Sequence, residues 1–108
     1  MPPYIDKNIN AYTFIGMELE FDPTKDALNI EKHGISLADA MLVYEARNKL
    51  TLQSPRRDED RLMDVAMVDA VGVVLVLVYV ERGAAVRAIS LRRASKTERV
   101  LYEQSQQD

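Results

Sequence analysis

The sequence predicts an α+β protein: an antiparallel sheet with two helices near its N-terminus and one helix at its C-terminus. The strongest signal is residues 73–80, eight apolar or aromatic side chains in a row, five of them Val. Such a run is typical of a strand buried on both faces. After a Glu-Arg-Gly connection at 81–83, residues 85–92 alternate between two faces. We therefore expect a hairpin whose second strand carries arginines at fixed positions.

Capping residues predict where the helices begin and end. Asp22 followed by Pro23 is a helix start, and Gly34 ends that helix, which carries Ala27, Leu28 and Ile30. A second helix is expected after Ser36 and a third after Ser95, where Glu98 completes a capping box. The side chains expected to point inward are Leu37, Ala40, Met41, Val43 and Tyr44 in the second helix, and Val100 and Leu101 in the third.

Three further strands are predicted at residues 17–21, 49–54 and 61–69. A charged loop at 55–60 and a turn at 69–72 separate them. Residues 1–16 are weakly patterned, with a short strand near 12–15, and we interpret them as an N-terminal extension. Residues 17–108 then form the single folded domain that a chain of 108 residues can support.

Composition excludes several classes of function. The chain has no Cys and one His, so we expect no metal site and no cofactor. None of its four glycines forms a phosphate-binding loop. The N-terminus lacks the pattern of a signal peptide, and the longest apolar run is far below the roughly 20 residues that span a bilayer. We therefore expect a cytoplasmic protein without a membrane segment.

Charge is unevenly distributed along the chain. The net charge is −3, yet residues 81–99 hold six cations and two acids. A local basic patch of this kind can hold a phosphate backbone, and it can equally be a solvated face that balances acids elsewhere. The local excess keeps RNA among the candidate ligands.

Metal-free RNA cleavage fits these residues better than the other chemistries considered. A ribose 2′-hydroxyl attacks the adjacent phosphate while the enzyme removes one proton, supplies another and stabilises the charged phosphorane. His or Glu can transfer the protons, and Arg or Lys can stabilise the phosphate. Strict alternation places Arg87 and Arg92 on opposite faces of one strand, so a bulge or the strand end is needed for both to reach one phosphate.

Four segments follow one another along the chain: Phe-Asp-Pro-Thr-Lys at 21–25, Lys-His-Gly-Ile-Ser at 32–36, Glu-Arg-Gly at 81–83 and Arg-Ala-Ile-Ser-Leu-Arg-Arg-Ala at 87–94. In this order they resemble the BrnT family of type II toxins. The segment at 32–36 is specific in combination with the last two. The resemblance covers residues from about 19 to 103 and leaves the N-terminal extension unmatched.

The resemblance implies a RelE-like fold and a metal-independent ribonuclease that arrests translation. It also implies neutralisation by a BrnA-like antitoxin, operator DNA bound only through that antitoxin, and assembly as a homodimer or as a heterotetramer with it. The positions it assigns to catalysis are Lys32, His33, Glu81, Arg87 and Arg92. The positions it assigns to RNA binding are Lys25, Arg61, Arg82, Arg93 and Lys96. Which residue is the general base stays open among His33, Glu81 and a lysine.

A non-catalytic module with the same fold is the alternative from another functional class. Such a module would keep the contact with an antitoxin and cleave nothing. Loss of toxicity in His33 or Arg87 variants that still bind the partner would favour catalysis. DNA binding by this chain alone is disfavoured by its net charge and by the lack of a cation-rich recognition helix.

Overall fold

A computed structural model of the chain describes residues 4–6, 11–14, 17–54 and 60–107, and for the first two segments it describes the backbone alone. The predicted α+β class is confirmed. The described elements are β1 (Tyr4–Asp6), β2 (Ala11–Phe14), β3 (Met17–Glu20), α1 (Pro23–His33), a 3-10 turn (Leu37–Asp39), α2 (Met41–Tyr44), β4 (Leu50–Gln53), β5 (Leu62–Val68), β6 (Val73–Arg82), β7 (Ala85–Arg93) and α3 (Lys96–Ser105).

The strands form one sheet in the order β1-β2-β3-β7-β6-β5-β4. Strands β3 to β7 make a five-stranded mixed sheet, and the short β1 and β2 extend it beyond β3. The prediction of a purely antiparallel sheet is wrong at one place, because β3 pairs with β7 in parallel. The chain between β3 and β7 contains both early helices and the strands β4 to β6. Strand β7 pairs with β6 along one edge, and β3 pairs with β7 along the other edge.

The core lies on both faces of β6. We name the faces by their buried residues: the Leu75 face also carries Leu77 and Tyr79, and the Val76 face also carries Val74. On the Leu75 face, the 3-10 turn and α2 pack side chains into the larger cluster, including the fully buried Leu37 and Val43. On the Val76 face the cluster is smaller and includes Val65, Ala94 and half-buried Tyr102. The prediction of a central strand buried on both faces is confirmed.

A β-bulge in β7 changes which residues share a face. Val78 pairs with Ser90 while Tyr79 pairs with Ala88, which leaves Ile89 as the extra residue. The register beyond Ile89 is therefore shifted by one, and strict alternation along β7 is wrong there. Arg87 lies opposite Val80, and Arg92 lies opposite Val76.

Both arginines consequently belong to the Val76 face. With strict alternation, Arg87 and Arg92 were expected to reach one phosphate only through a bulge or at the strand end. Ile89 supplies that bulge.

Helix α1 begins and ends where predicted. The Asp22 carboxylate accepts the backbone N–H groups of Thr24 and Lys25, and Gly34 closes the helix with φ of 71°. Its single buried residue, among those described, is Asn29. The Asn29 amide donates to the carbonyl of Leu91 and accepts its N–H, at 2.8 and 3.2 Å. Because β3 ends at Glu20, this amide replaces the missing strand partner of β7.

The outward-facing residues of α1 include two large apolar side chains. Leu28 is 59% exposed and Ile30 is 46% exposed. The geometry explains this, because Asn29 must face the sheet to pair with Leu91, and its neighbours on either side then turn away from the core.

The second and third helices depart from their predictions. The segment after Ser36 forms a 3-10 turn before the four-residue α2, although Leu37, Ala40, Met41 and Val43 are buried as predicted. In α3 the capping box of Ser95 and Glu98 is confirmed. The inward orientation of Val100 and Leu101 is wrong, since both are exposed and the half-buried Tyr102 faces the core instead.

Other sequence expectations fall partly outside the described residues. Of the charged loop at 55–60, only Asp60 is described, and it is exposed. The structure describes two strands within the predicted N-terminal extension, where β1 pairs antiparallel with β2 and β2 with β3. No helix in the described part of the chain is long and apolar enough to cross a membrane.

Candidate functional site

A shallow depression lies where α1 meets the bulge in β7. It has a volume of about 210 Å³, and its polar lining comes from Lys25, Asn29, Lys32, His33 and Ser90. The C-terminal turn of α1 supplies Lys32 and His33, and the bulge brings Ser90 beside them. Three residues predicted from the sequence to act on RNA therefore line the same depression: Lys25, Lys32 and His33.

Two cations influence the ionisation of His33. Partial burial, Lys32 and Arg92, in that order of importance, all lower its pKa below the ordinary 6.5. The imidazole is therefore mainly neutral near pH 7 and can accept a proton. The same cations would favour a bound phosphate, so the depression combines a base with an environment that can attract an anion.

Arg92 has a structural partner in α3. Its guanidinium makes two hydrogen bonds to the Glu98 carboxylate, at 2.7 and 2.8 Å, and these bonds raise the pKa of Arg92. The same carboxylate accepts the N–H of Ser95 at 2.8 Å. These contacts lower the pKa of Glu98 to about 2, and the hydrogen bonds from Arg92 contribute most. Arg92 thus fixes the start of α3 against the end of β7, in addition to its charge effect on His33.

We expect Glu98→Gln to lower the free energy of unfolding by about 1–2 kcal/mol near neutral pH, because it removes a partly exposed but bidentate charged pair. The folded pKa of Glu98 is depressed from 4.5 to about 2, so the contribution is present above pH 4.5 and is lost as pH falls toward 2. Urea unfolding at pH 7 and at pH 2.5 measures it. The exposed Glu103 on the same helix provides the control Glu103→Gln, and an equal effect of both variants would contradict the prediction.

The remaining predicted cations lie on several parts of the fold. Arg87 is half-buried on the Val76 face, with Val80 on one neighbouring strand and Glu20 on the other. Half-buried Arg61 directly precedes β5, and exposed Arg82 lies at the tip of the β6–β7 hairpin. Arg93 and Lys96 are exposed where β7 passes into α3.

Glu81 is separated from this group. It pairs with Val86 in the hairpin, which places it on the Leu75 face, and its carboxylate accepts the Tyr44 hydroxyl at 2.7 Å. Burial, and then the bond to Glu81, raise the pKa of Tyr44 to about 12. In the described part of the chain, no hydrogen bond or ion pair joins Glu81 to His33. The catalytic role of Glu81 stays a prediction, and in the structure its carboxylate is hydrogen-bonded to Tyr44 of α2.

A buried polar cluster on the Leu75 face was missed by sequence reasoning. The fully buried Asp64 accepts from Lys49 and Thr51, each at 2.7 Å, and from Tyr79 at 3.0 Å. The Lys49 ammonium also lies 4.2 Å from the centre of the Tyr44 ring. The sequence signal was Asp64, a single carboxylate in the otherwise apolar strand at 62–68. Its hydrogen-bond partners could be identified only once the register of the strands was known.

Within residues 17–54 and 60–107, no three acidic or histidine side chains lie close enough together to hold a metal ion. The depression carries Lys25, Lys32 and His33, its wall also includes the apolar Leu28 and Ile89, and its two lysines can attract an anion. Taken with the fold, it defines a small α+β protein with a basic site around one histidine.

The profile of one protein family, the ribonuclease toxin BrnT of type II toxin–antitoxin systems, matches residues 21–98. This match spans more than half of the chain and includes α1, the sheet from β4 to β7 and the start of α3. The chain belongs to this family, and it is accordingly a ribonuclease toxin with an antitoxin partner. No curated protein matches the sequence.

Proposed function

We propose that this chain is a metal-independent endoribonuclease with a RelE-like fold that arrests translation by cutting RNA in the cytoplasm. A BrnA-like antitoxin neutralises it and carries the complex to operator DNA. The observation that supports the chemistry is that His33, whose pKa is lowered by partial burial, Lys32 and Arg92, lines an open depression together with Lys25 and Lys32. A base and groups that can bind an anion meet there, as this reaction requires.

In the proposed reaction, His33 removes the proton of a ribose 2′-hydroxyl, and the oxygen attacks the neighbouring phosphorus. The bond from phosphorus to the 5′-oxygen breaks, leaving a 2′,3′-cyclic phosphate and a free 5′-hydroxyl. The ammonium groups of Lys25 and Lys32 are the acids in the depression that can protonate the departing oxygen. Lys32 and the nearby guanidinium groups stabilise the added negative charge of the phosphorane.

His33 is a better candidate than Glu81 for the general base. Glu81 lies on the Leu75 face, bonded to Tyr44, whereas Arg87 and Arg92 lie on the Val76 face. The bulge at Ile89 brings the two arginines onto this common face. RNA that follows the Val76 face would therefore meet Arg87 and the depression in succession.

Arg87→Ala tests the proposal, because it removes a cation from the expected RNA path without touching His33. We expect RNA cleavage by the purified protein to fall about 100-fold, as is typical when one transition-state donor is lost. In a bacterial host, induction of the parent chain should stop growth and degrade RNA, and induction of Arg87→Ala should not. Exposed Arg99 gives a control, Arg99→Ala, with the same change of charge.

Two outcomes would overturn the proposal. Abolition of cleavage by EDTA, with recovery on adding a divalent cation, would contradict metal independence. Intact RNA and normal growth with well-folded parent protein would indicate the non-catalytic binding module.

A further inference from the structure

The open depression lies at a gap in the edge of β7. Strand β3 pairs with this edge as far as Arg87, and the Asn29 amide takes over at Leu91. Between these two points, no strand described in the structure pairs with β7 on that side. The bulge residue Ile89 and its neighbour Ser90 lie in this gap, and both line the depression. The depression therefore opens onto a stretch of sheet edge that no described strand covers.

Ser90 lies between two arginines on one face of β7. It pairs with Val78, and Arg87 and Arg92 pair with the residues two after and two before Val78 in β6. Residues that lie directly opposite one another share a face, so all three belong to the Val76 face. They occupy successive positions on that face, roughly 7 Å apart along the strand. Without the bulge, Ser90 would share a face with Arg92 and not with Arg87.

The hydroxyl of Ser90 has no hydrogen-bond partner within the described residues, although the residue is half-buried. The other uncharged polar group of the depression, the Asn29 amide, is committed to the backbone of Leu91. The Arg92 guanidinium is committed to Glu98. The fold therefore leaves the Ser90 hydroxyl available to a ligand that enters the depression.

A serine hydroxyl at this position suits a phosphate oxygen. It can donate its proton to a charged acceptor, and such hydrogen bonds are stronger than those between neutral groups. The exposed Lys25 and Lys32 supply attraction, but their long flexible side chains define the position of a bound group less closely. A short side chain on a paired strand is held in place by the sheet.

We propose that Ser90 donates its hydroxyl to a non-bridging oxygen of the scissile phosphate and so holds that phosphate beside His33. The inference rests on the proposed ribonuclease reaction. It adds a phosphate-binding residue to that reaction, and it gives the bulge a role beyond aligning the two arginines.

Ser90→Ala tests this contact, because it removes the hydroxyl and leaves the side chain almost the same size. The substrate is a short DNA strand with a single ribonucleotide, prepared with each of the four bases, so that one phosphate alone can be cut. We expect kcat/KM to fall about 10- to 100-fold, the range typical of a hydrogen bond to a charged group. Ser90→Thr, which keeps a hydroxyl, should recover most of the loss. Ser105→Ala, the same change at the end of α3, should leave kcat/KM unchanged.

Sulfur substitution at the phosphate separates a direct contact from an effect on the fold. Sulfur accepts hydrogen bonds more weakly than oxygen, so replacing the contacted oxygen should slow the parent protein and leave Ser90→Ala almost unaffected. For that diastereomer the two rates should come within about threefold of each other, and the other diastereomer should keep the full difference. The same difference with oxygen and with both sulfur diastereomers would overturn the proposal. Circular dichroism melting curves show whether each variant is folded.

Binding distinguishes this proposal from the proposed reaction. The same strand with fluorine in place of the 2′-hydroxyl cannot be cut, and fluorescence anisotropy measures its affinity. If the parent cuts its substrate and Ser90→Ala cuts it equally fast, the contact is wrong and the ribonuclease reaction stands. If the parent cuts nothing, an affinity at least about tenfold weaker for Ser90→Ala would keep the phosphate contact without the reaction, and an unchanged affinity would overturn it.

Discussion

Replacing Asp64 by alanine is expected to lower the free energy of unfolding by about 2–3 kcal/mol, because a buried acceptor is lost while its partner Lys49 keeps a quarter of its side chain exposed. Its carboxylate is fully buried and accepts three hydrogen bonds. The alanine variant would leave the Lys49 ammonium without its counter-ion, and the hydroxyls of Thr51 and Tyr79 without their acceptor. The buried Tyr79 hydroxyl then adds a desolvation cost that no rearrangement of neighbouring apolar side chains can recover, whereas the exposed Thr51 and the partly exposed Lys49 can turn to water.

Guanidinium chloride unfolding at pH 7 measures this effect. Asp60→Ala, which removes an exposed carboxylate close in sequence, is the control and should change the free energy by no more than about 0.5 kcal/mol. Asp64→Asn should lie between the two, since its carbonyl can still accept from a hydroxyl while the charge is lost. A loss below about 1 kcal/mol for Asp64→Ala would show that the buried cluster contributes little to folding.

The cluster matters beyond stability because it joins α2 to the sheet. Tyr79 stands edge-on to Tyr44, with ring centres 5.3 Å apart, and Tyr44 reaches Glu81 at the hairpin. Burial and the adjacent Asp64 raise the pKa of Tyr79, so its hydroxyl keeps its proton and remains a donor. A continuous chain of contacts therefore runs from Lys49 to Glu81 on the face opposite the candidate site.

Local sequence signals determined much of the fold. Asp22 and Pro23 fix the start of α1 through backbone N–H groups a few residues away, and Gly34 ends it by adopting positive φ. The apolar run at 73–80 identifies a buried strand without reference to its partners. Such features are encoded within a few residues, and the sequence predicted them correctly.

Features that depend on pairing were not predictable in the same way. The bulge at Ile89 exists only relative to the register of β6, and that register places Arg87 and Arg92 on one face. Asn29 resembles an ordinary helix residue until the end of β3 leaves that edge of β7 without a partner strand at Leu91. Val100 and Leu101 were expected inside, yet α3 is held by Arg92–Glu98, Tyr102 and Gln106 instead.

Replacing His33 by alanine is expected to reduce RNA cleavage by about 100- to 10,000-fold, the range typical of general acid–base groups. The imidazole is the proposed base, and no other histidine exists in the chain to replace it. Rates with a short RNA substrate, measured beside circular dichroism melting curves, separate lost chemistry from lost folding. Cleavage within threefold of the parent rate by a folded His33→Ala protein would reassign the base to Glu81 or a lysine.

The pH dependence of RNA cleavage provides a second test of His33 as the general base, and the direction of the expected change is defined. Burial, Lys32 and Arg92 lower the pKa of His33 in the free protein, so kcat/KM should stay constant near pH 7 and fall in acid only below pH 6.5. A bound phosphate adds negative charge beside the imidazole and raises its pKa, so the acid limb of kcat should lie at higher pH than that of kcat/KM. Lys32→Gln should move the kcat/KM limb upward toward 6.5, because one of the cations that disfavour imidazolium is removed. An acid limb unmoved by Lys32→Gln would show that the titrating base is not His33.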